Sequence, residues 1–338
     1  MAFLKLFSDC QPVRGAKNGA VYDLTRGEIH TFPVRYLDVL NLLERLSYEI
    51  LLNELSDKDR ENVSSFVNFL IHEELADWDR DDLPKRQWNV AVPDGIANAI
   101  IDVESELHDL SGLVRELDDI GCKYLQIRSF STLLTPRHLR AALEGLCPKS
   151  LRGVEVLVPF DGSLPPDEYE LLVQTVPLVS ELVVHSSPAA SSDAIEGNRD
   201  PRRSVKYVTD VIRSEQDCGA IRPSNLTAPS ISTYAANRVC NGCLAGKISV
   251  DKGGAIRNCP SMQDSFGHVG LRSLNDVVKD SVFRSLWAVN KDEVEVCRDC
   301  EYRYACSDCR AYTVPVSKLG CHGKPLKCSY DPYLGKWL

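Results

Sequence analysis

The residues in this chain most able to do chemistry are its cysteines, and most of them lie near one end. Nine of the 13 cysteines follow residue 239, and six of these nine form three CxxC pairs, Cys240–Cys243, Cys297–Cys300 and Cys306–Cys309. A CxxC pair brings two thiolates to one metal through a short turn, and distant pairs can complete a four-sulfur site when the chain folds back. The spacing therefore predicts two four-cysteine sites, which zinc or an iron–sulfur cluster would satisfy equally on ligand count.

Composition narrows the kind of protein that carries these sites. The 338 residues have a formal charge of −9, 43% hydrophobic content and no uninterrupted apolar run long enough to span a bilayer. The acidic balance argues against a nucleic-acid or membrane-surface binder. Because the N-terminus has no secretory signal, we expect a cytoplasmic protein whose clustered cysteines bind metal rather than form disulfides.

The first 82 residues have the pattern of a small domain. Residues 3–7 predict a strand, residues 20–24 and 28–32 a hairpin, and leucine spacing predicts a helix after Pro33. Ser56 is a typical N-cap for a second helix with Phe66 and Leu70 on its apolar face. This order of strand, hairpin and helices is typical of a winged-helix unit.

Residues 96–222 alternate short apolar runs with helical stripes. The predicted strands are 99–103, 124–128, 154–158 and 181–185, each followed by a helical or polar segment. Repeating βα units imply a parallel sheet, either open or curled into a partial (β/α) barrel. The fold class predicted for the whole chain is therefore α/β.

Residues 223–338 form the cysteine-rich zone, where secondary-structure signals are weak and metal ligands must supply much of the order. Its pattern, C-x10-G-x4-C, then C-x2-C-x5-C-x2-C, then a last cysteine, closely resembles the SPASM domain over residues 238–338. The resemblance implies two auxiliary 4Fe–4S clusters, with zinc as the alternative. It implies the ligand sets Cys240, Cys243, Cys259 and Cys309 for the first cluster, and Cys297, Cys300, Cys306 and Cys328 for the second.

One departure from that pattern and one open assignment concern the later cysteines. The spacing between Cys306 and Cys309 is two residues, Ser307 and Asp308, where the family usually has three. Two cysteines, Cys321 and Cys328, compete for the last position. The sequence around Cys328 resembles the terminal cysteine of the family more closely, so we assign Cys328 and treat Cys321 as the alternative.

The barrel resembles that of radical S-adenosylmethionine enzymes but lacks their catalytic motif. No three cysteines have the C-x3-C-x2-C spacing that holds the cluster that cleaves S-adenosylmethionine. The loop after the first barrel strand instead carries Glu104, Glu106, His108 and Asp109, which could ligate another metal or simply be solvated. We therefore expect no S-adenosylmethionine cofactor.

Nearly the whole layout resembles the SPASM-domain peptide maturases of grasp-with-spasm systems. The residues that carry this resemblance lie at 98–102, 121–128, 258–262 and 300–310. It implies that residues 1–82 form a RiPP recognition element, residues 96–222 the partial barrel and residues 223–338 the SPASM domain. In a recognition element the leader peptide adds as a strand beside the hairpin. The peptide-binding residues would then be Ile29, Thr31, Phe66 and Leu70.

Three functions follow as hypotheses. The first is an iron–sulfur protein that binds a ribosomal precursor peptide through its leader and supports its maturation by an ATP-grasp ligase. The second is a redox or Lewis-acid iron–sulfur enzyme that modifies the precursor directly, without S-adenosylmethionine. The third is a zinc-stabilised peptide adaptor. Under the first hypothesis, deleting residues 1–82 would weaken precursor binding and leave the iron content intact.

Overall fold

The computed structural model describes residues 3–79, 92–104, 108–165, 167–194, 203–316 and 322–338. Contacts divide the chain into two compact units. The first unit comprises Met1–Val92, Ala220–Gly242 and Ala288–Leu338, and the second comprises Pro93–Gly219 and Cys243–Trp287. The three predicted domains, 1–82, 96–222 and 223–338, stay predictions, and each unit is described below by itself.

The described residues form strands and helices in a mixed order along the chain. The strands are β1 (Phe3–Leu6), β2 (Cys10–Arg14), β3 (Asn18–Asp23), β4 (Glu28–Pro33), β5 (Ala76–Asp79), β6 (Asn98–Val103), β7 (Tyr124–Ser129), β8 (Gly153–Pro159), β9 (Val179–His185), β10 (Ser191–Ala194), β11 (Ser204–Tyr207), β12 (Lys247–Val250), β13 (Ile256–Arg257), β14 (Tyr330–Asp331) and β15 (Lys336–Trp337). The helices are α1 (Arg35–Leu43), α2 (Tyr48–Asn53), α3 (Asp57–His72), α4 (Leu110–Asp119), α5 (Pro136–Leu143), α6 (Asp167–Thr175), α7 (Ile231–Asn237), α8 (Leu274–Lys279) and α9 (Ser281–Arg284).

The first unit is built around an antiparallel sheet of order β2-β3-β4. The predicted hairpin is confirmed as β3 and β4, with Val21 opposite His30 in the register. The second predicted helix is confirmed as α3, and the Ser56 hydroxyl accepts a hydrogen bond from the Asp59 amide as expected of an N-cap. Separately, β1 pairs with β5 in a two-stranded antiparallel sheet.

Both faces of the three-stranded sheet are covered. On one face, Val21 and Phe32 join the core formed with α1 and α3. On the other face, Tyr22 packs with Tyr234 of α7 and with Tyr304 of the cysteine-rich segment. Alternate residues of a strand point to opposite faces, so β3 contributes to both cores and is buried along its length.

The second unit is built around an eight-stranded sheet of order β10-β11-β9-β8-β7-β6-β12-β13. The pairings from β11 through β12 are parallel, which confirms the predicted parallel sheet, whereas β10 and β13 pair antiparallel at the two ends. The four strands predicted within 99–185 are confirmed as β6, β7, β8 and β9. Helices α4, α5 and α6 pack on the sheet and form one continuous apolar core with it.

Gly254, the glycine of the C-x10-G-x4-C motif, allows a tight turn in the second unit. Gly254 lies in the turn between β12 and β13 and has a φ of +87°, in the left-handed region that favours glycine. A Cβ at this position would also lie 2.5 Å from Cε1 of His268. The turn fixes the approach of the chain to Cys259, which follows β13 by two residues.

Candidate metal centre

Four cysteines of the first unit line one pocket. They are Cys297, Cys300, Cys306 and Cys328, and we call them the cysteine quartet. The rest of the wall consists of apolar and aromatic side chains and two cations: Ile221, Leu226, Tyr302, Tyr330, Trp337, Lys291 and Arg303. The quartet is the ligand set that the sequence resemblance implied for the second cluster, and its assignment as a ligand set stays a prediction.

Local backbone structure brings the members of the quartet together. Cys297 opens a short 3-10 turn, and the Cys300 amide donates a hydrogen bond of 3.0 Å to the Cys297 carbonyl. Cys328 lies in a separate segment of the chain, and a parallel backbone bridge between Cys328 and Ile221 holds that segment in place. Val296, just before the turn, has a φ of +67°, which β-branched residues rarely adopt, so surrounding contacts must hold this backbone in place.

Burial of the quartet disfavours the ionised form of its thiols. Cys297 and Cys306 are buried. Burial raises the pKa of the Cys297 thiol to about 11 and also raises the pKa of Cys300. A thiolate forms there only beside a metal or another positive charge. Thiols are the donors that iron–sulfur clusters and zinc use, so the quartet matches such a group in donor type. In the described residues, however, no three of these side chains are arranged to hold one metal ion.

A buried ionic group lies beside the quartet. Nζ of Lys291 is 3.7 Å from Sγ of Cys297 and 3.0 Å from Oδ1 of Asp308. Nη2 of Arg310 is 2.7 Å from the same carboxylate oxygen. Burial alone would lower the pKa of Lys291, but Cys306, Asp308 and Cys297 raise it above its usual value, so the ammonium stays charged.

The other predicted ligand set is distributed over both compact units. Cys240 and Cys309 belong to the first unit, and Cys240 follows α7, its Sγ lying 3.2 Å from the Ala236 carbonyl oxygen. Cys243 and Cys259 belong to the second unit. Within that unit burial raises the pKa of Cys259 to about 11, and Cys243 adds to this rise. Nζ of Lys247 lies 3.4 Å from Sγ of Cys243.

Sequence reasoning missed a further cysteine in the second unit. Cys218 is exposed, and its charge influences both Cys259 and Arg128. The Ser261 hydroxyl donates a hydrogen bond of 2.9 Å to the Glu215 carbonyl, which ties the two segments together. No spacing signal could have found Cys218, because it stands well before the first CxxC pair.

The acidic loop after β6 has structural roles in its described part. Asp109 caps α4 by accepting a hydrogen bond of 2.9 Å from the Gly112 amide. Nε2 of His108 lies 3.0 Å from the Asp251 carbonyl oxygen. Glu106 lies outside the described residues, as does Cys321, the alternative last ligand. Across the parts of the chain that the structure describes, no three His, Cys, Asp or Glu side chains are arranged to hold one metal ion.

The predicted peptide-binding residues occupy different environments. Phe66 and Leu70 are buried in the core between α3 and the sheet. Ile29 packs in the core on the opposite face of the sheet, with Tyr22 and Tyr234. The Thr31 hydroxyl forms a hydrogen bond with the side chain of Tyr302. Among the residues that the structure describes, strand β4 pairs in its sheet with β3 alone and so forms an edge.

The carboxyl ends of the central strands carry a buried polar group. Arg128 of β7 lies opposite Asp102 of β6 and forms two hydrogen bonds to it, of 2.7 and 2.9 Å. His185, at the end of β9, is also buried. Ligands of open parallel sheets commonly bind at this edge.

Of three comparisons with known proteins, the one with solved structures finds matches. Comparison with family profiles finds no match, and comparison with curated proteins finds none. The chain is similar to Streptococcus suis SuiB bound to S-adenosylmethionine, at 10% identity and a TM-score of 0.37, over 91% of this chain and 96% of that chain. It is also similar to SuiB bound to its precursor peptide SuiA, at 11% identity and a TM-score of 0.33, over 92% and 96% of the two chains. Both TM-scores are too low for anything about activity to follow.

One further finding concerns membranes. Within the described residues, no helix combines the length and the apolar character that crossing a bilayer requires.

Proposed function

We propose that this chain is an iron–sulfur protein that binds a ribosomally synthesised precursor peptide and supports its maturation by an ATP-grasp ligase. The observation that supports its iron–sulfur part is the cysteine quartet, because four thiols from two chain segments line one pocket. Its peptide and ligase parts rest on the sequence resemblance. The quartet would hold one 4Fe–4S cluster, and Cys240, Cys243, Cys259 and Cys309 would hold the other. When bound, the clusters would order the cysteine-rich segment, since their ligands are distant in sequence.

The first unit also offers a place for a peptide. An edge strand such as β4 has one side of its backbone free to pair with an added strand. Beside this edge, the His30 side chain, which is 15% exposed, packs edge-to-face against Phe69 of α3, with ring centroids 6.1 Å apart. We assign the leader-binding groove to β4 and α3, with the backbone giving affinity and these side chains giving specificity.

The metal assignment is tested with protein reconstituted under anaerobic conditions with iron and sulfide. We expect the wild-type chain to hold equal amounts of iron and acid-labile sulfide and to absorb visible light through thiolate-to-iron charge transfer. Cys300→Ala should hold half of that iron, because one of the two clusters is lost. The exposed Cys147 provides the control, since Cys147→Ser should keep the full content. Stoichiometric zinc in place of iron in the native protein, or unchanged iron in Cys300→Ala, would refute the assignment.

The maturation role predicts that a short-peptide gene and an ATP-grasp gene lie beside the gene of this chain, and the products of those genes would then be used in the test. With the ligase and ATP, each ester or amide bond formed should lower the mass of the peptide by that of one water, which mass spectrometry detects, while one ATP is converted to ADP and phosphate. We expect little reaction when either protein is omitted. A mass change produced by this chain alone would replace the proposal with direct modification by an iron–sulfur enzyme.

A further inference from the structure

Three charged side chains next to the cysteine quartet are almost completely removed from solvent. Lys291, Asp308 and Arg310 are 3%, 1% and 8% exposed. The Asp308 carboxylate lies between the two cations, and its Oδ2 also accepts a hydrogen bond of 2.8 Å from the Asn241 amide. On its far side, Arg310 donates a hydrogen bond of 2.9 Å to the Gly323 carbonyl.

The charges of this group do not balance. Two cations and one carboxylate leave one net positive charge, and a buried net charge is costly unless an opposite charge lies nearby. The quartet is in position to supply such a charge, because Nζ of Lys291 lies 3.7 Å from Sγ of Cys297 and Lys291 lines the same pocket as Cys306. The fully buried carboxylate of Glu301 lies next to Cys300 in the chain. An anionic group held by the quartet would therefore complement the buried cation.

The shortened segment between Cys306 and Cys309 supplies the central residue of this charged group, Asp308. Asp308 is one of the two residues between Cys306 and Cys309, and its φ of +47° places it in the left-handed region. Aspartate tolerates this backbone better than most residues. The shortened segment thus holds a carboxylate between Lys291 and Arg310, where it fixes the ammonium beside Cys297.

We propose that Lys291 is a positioning residue for the cluster of the quartet, which it stabilises electrostatically, and that Asp308 limits the strength of that effect. This inference rests on the proposed function, because it requires a cluster held by the quartet. One-electron reduction makes a cluster more negative, so a nearby cation favours the reduced form and raises the reduction potential. A nearby carboxylate has the opposite effect.

Potentiometric titration of the reconstituted full-length protein tests this inference, with dithionite as the electron donor and the cluster signals followed by electron paramagnetic resonance. Lys291→Met should shift one of the two reduction steps to a more negative potential, whereas Lys291→Arg should stay close to wild type. Asp308→Asn should shift the same step in the positive direction. Lys279 is exposed and lies in the other unit, so Lys279→Met is the matched control and should shift neither step.

The opposite signs separate an electrostatic role from a purely structural one, because simple loosening of the site would not raise the potential in one variant and lower it in the other. If Lys291→Met fails to retain iron, the positive shift in Asp308→Asn still decides the question. Retained iron with unchanged potentials in both variants would overturn the inference and leave the proposed function standing. A wild-type protein without iron would overturn the proposed function itself.

Discussion

At the scale of single residues, His185 links the stability of the second unit to pH. The ring is 1% exposed, and its Nδ1 and Nε2 lie 3.0 Å from the Ser186 hydroxyl and 3.4 Å from the Ser129 carbonyl oxygen. Burial lowers the pKa of His185 below 6.5, against the opposing effect of the Ser129 carbonyl. The unfolded chain therefore binds a proton more readily than the folded chain as pH falls through 6.5.

We accordingly expect the free energy of unfolding to decrease as pH falls from 6.5 toward the lowered pKa of His185. Urea unfolding at a series of pH values measures this dependence. His185→Asn should flatten the curve in that range, whereas the same change at the exposed His72 should leave its slope as in wild type. An equally steep decrease in His185→Asn would assign the effect to other groups.

The residue scale also shows what sequence could and could not reveal about the candidate site. The quartet was predictable because CxxC spacing is a local signal, and Cys328 followed from its neighbours in sequence. Lys291 and Arg310 gave no such signal, since lysine and arginine are mostly exposed in folded proteins. Their burial beside Cys297 depends on contacts across distant segments, and the proximity of Cys218 to Cys259 arises in the same way.

At the scale of elements, the pair Asp102–Arg128 joins two neighbouring strands, β6 and β7. Both side chains are at most 8% exposed, and the hydrogen bonds between them are bidentate. Replacing Asp102 with Asn leaves a buried guanidinium without its anion, which costs about 3–5 kcal/mol. We expect Asp102→Asn to lower the melting temperature of the protein markedly, as measured by calorimetry.

A matched control lies in the residues that follow β6. Glu104 forms an ion pair of 3.0 Å with Lys252, but both side chains are about half exposed. Exposed pairs of this kind contribute roughly 0–1 kcal/mol, so Glu104→Gln should change the melting temperature little. If the two variants melted at the same temperature, Asp102–Arg128 would not be an important contact between β6 and β7.

Elements formed by local pattern were predicted well, and elements completed by distant partners were missed. Strands β6 to β9 are short β-rich runs between helical stripes, so their periodicity identified them. Strand β12 lies in the cysteine zone and pairs with β6, which is far away in sequence. Strand β2 contains Pro12, which is tolerated because β2 is the edge of its sheet, but which weakens a strand signal in sequence.

At the scale of the whole molecule, the first unit combines segments that the sequence pattern assigns to different domains. The Ala16 amide donates a hydrogen bond of 2.7 Å to the Asp299 carbonyl, and the Tyr22 hydroxyl donates one of 2.7 Å to the Glu301 carbonyl. These bonds hold both neighbours of Cys300. The N-terminal residues therefore help to shape the segment that carries the quartet.

This packing argues for a different result of deleting residues 1–82 from the one expected on sequence pattern alone. The deletion removes Tyr22 from a core that it shares with Tyr234 and Tyr304, so we expect the truncated chain to hold less iron than the full chain. Iron and sulfide analysis after anaerobic reconstitution measures the loss. A soluble truncated chain with the full iron content would show that the quartet is formed without the N-terminal segment.

A single substitution tests the same coupling without removing an entire core. Tyr22→Phe keeps the ring but removes the bond to the Glu301 carbonyl, which leaves a buried acceptor with one partner fewer. We expect it to release iron to a chelator faster than wild type, because the backbone next to Cys300 is less restrained. The 55%-exposed Tyr124 gives the control, and Tyr124→Phe should release iron at the wild-type rate. Equal release rates in all three proteins would mean that the N-terminal segment packs against the quartet segment without stabilising it.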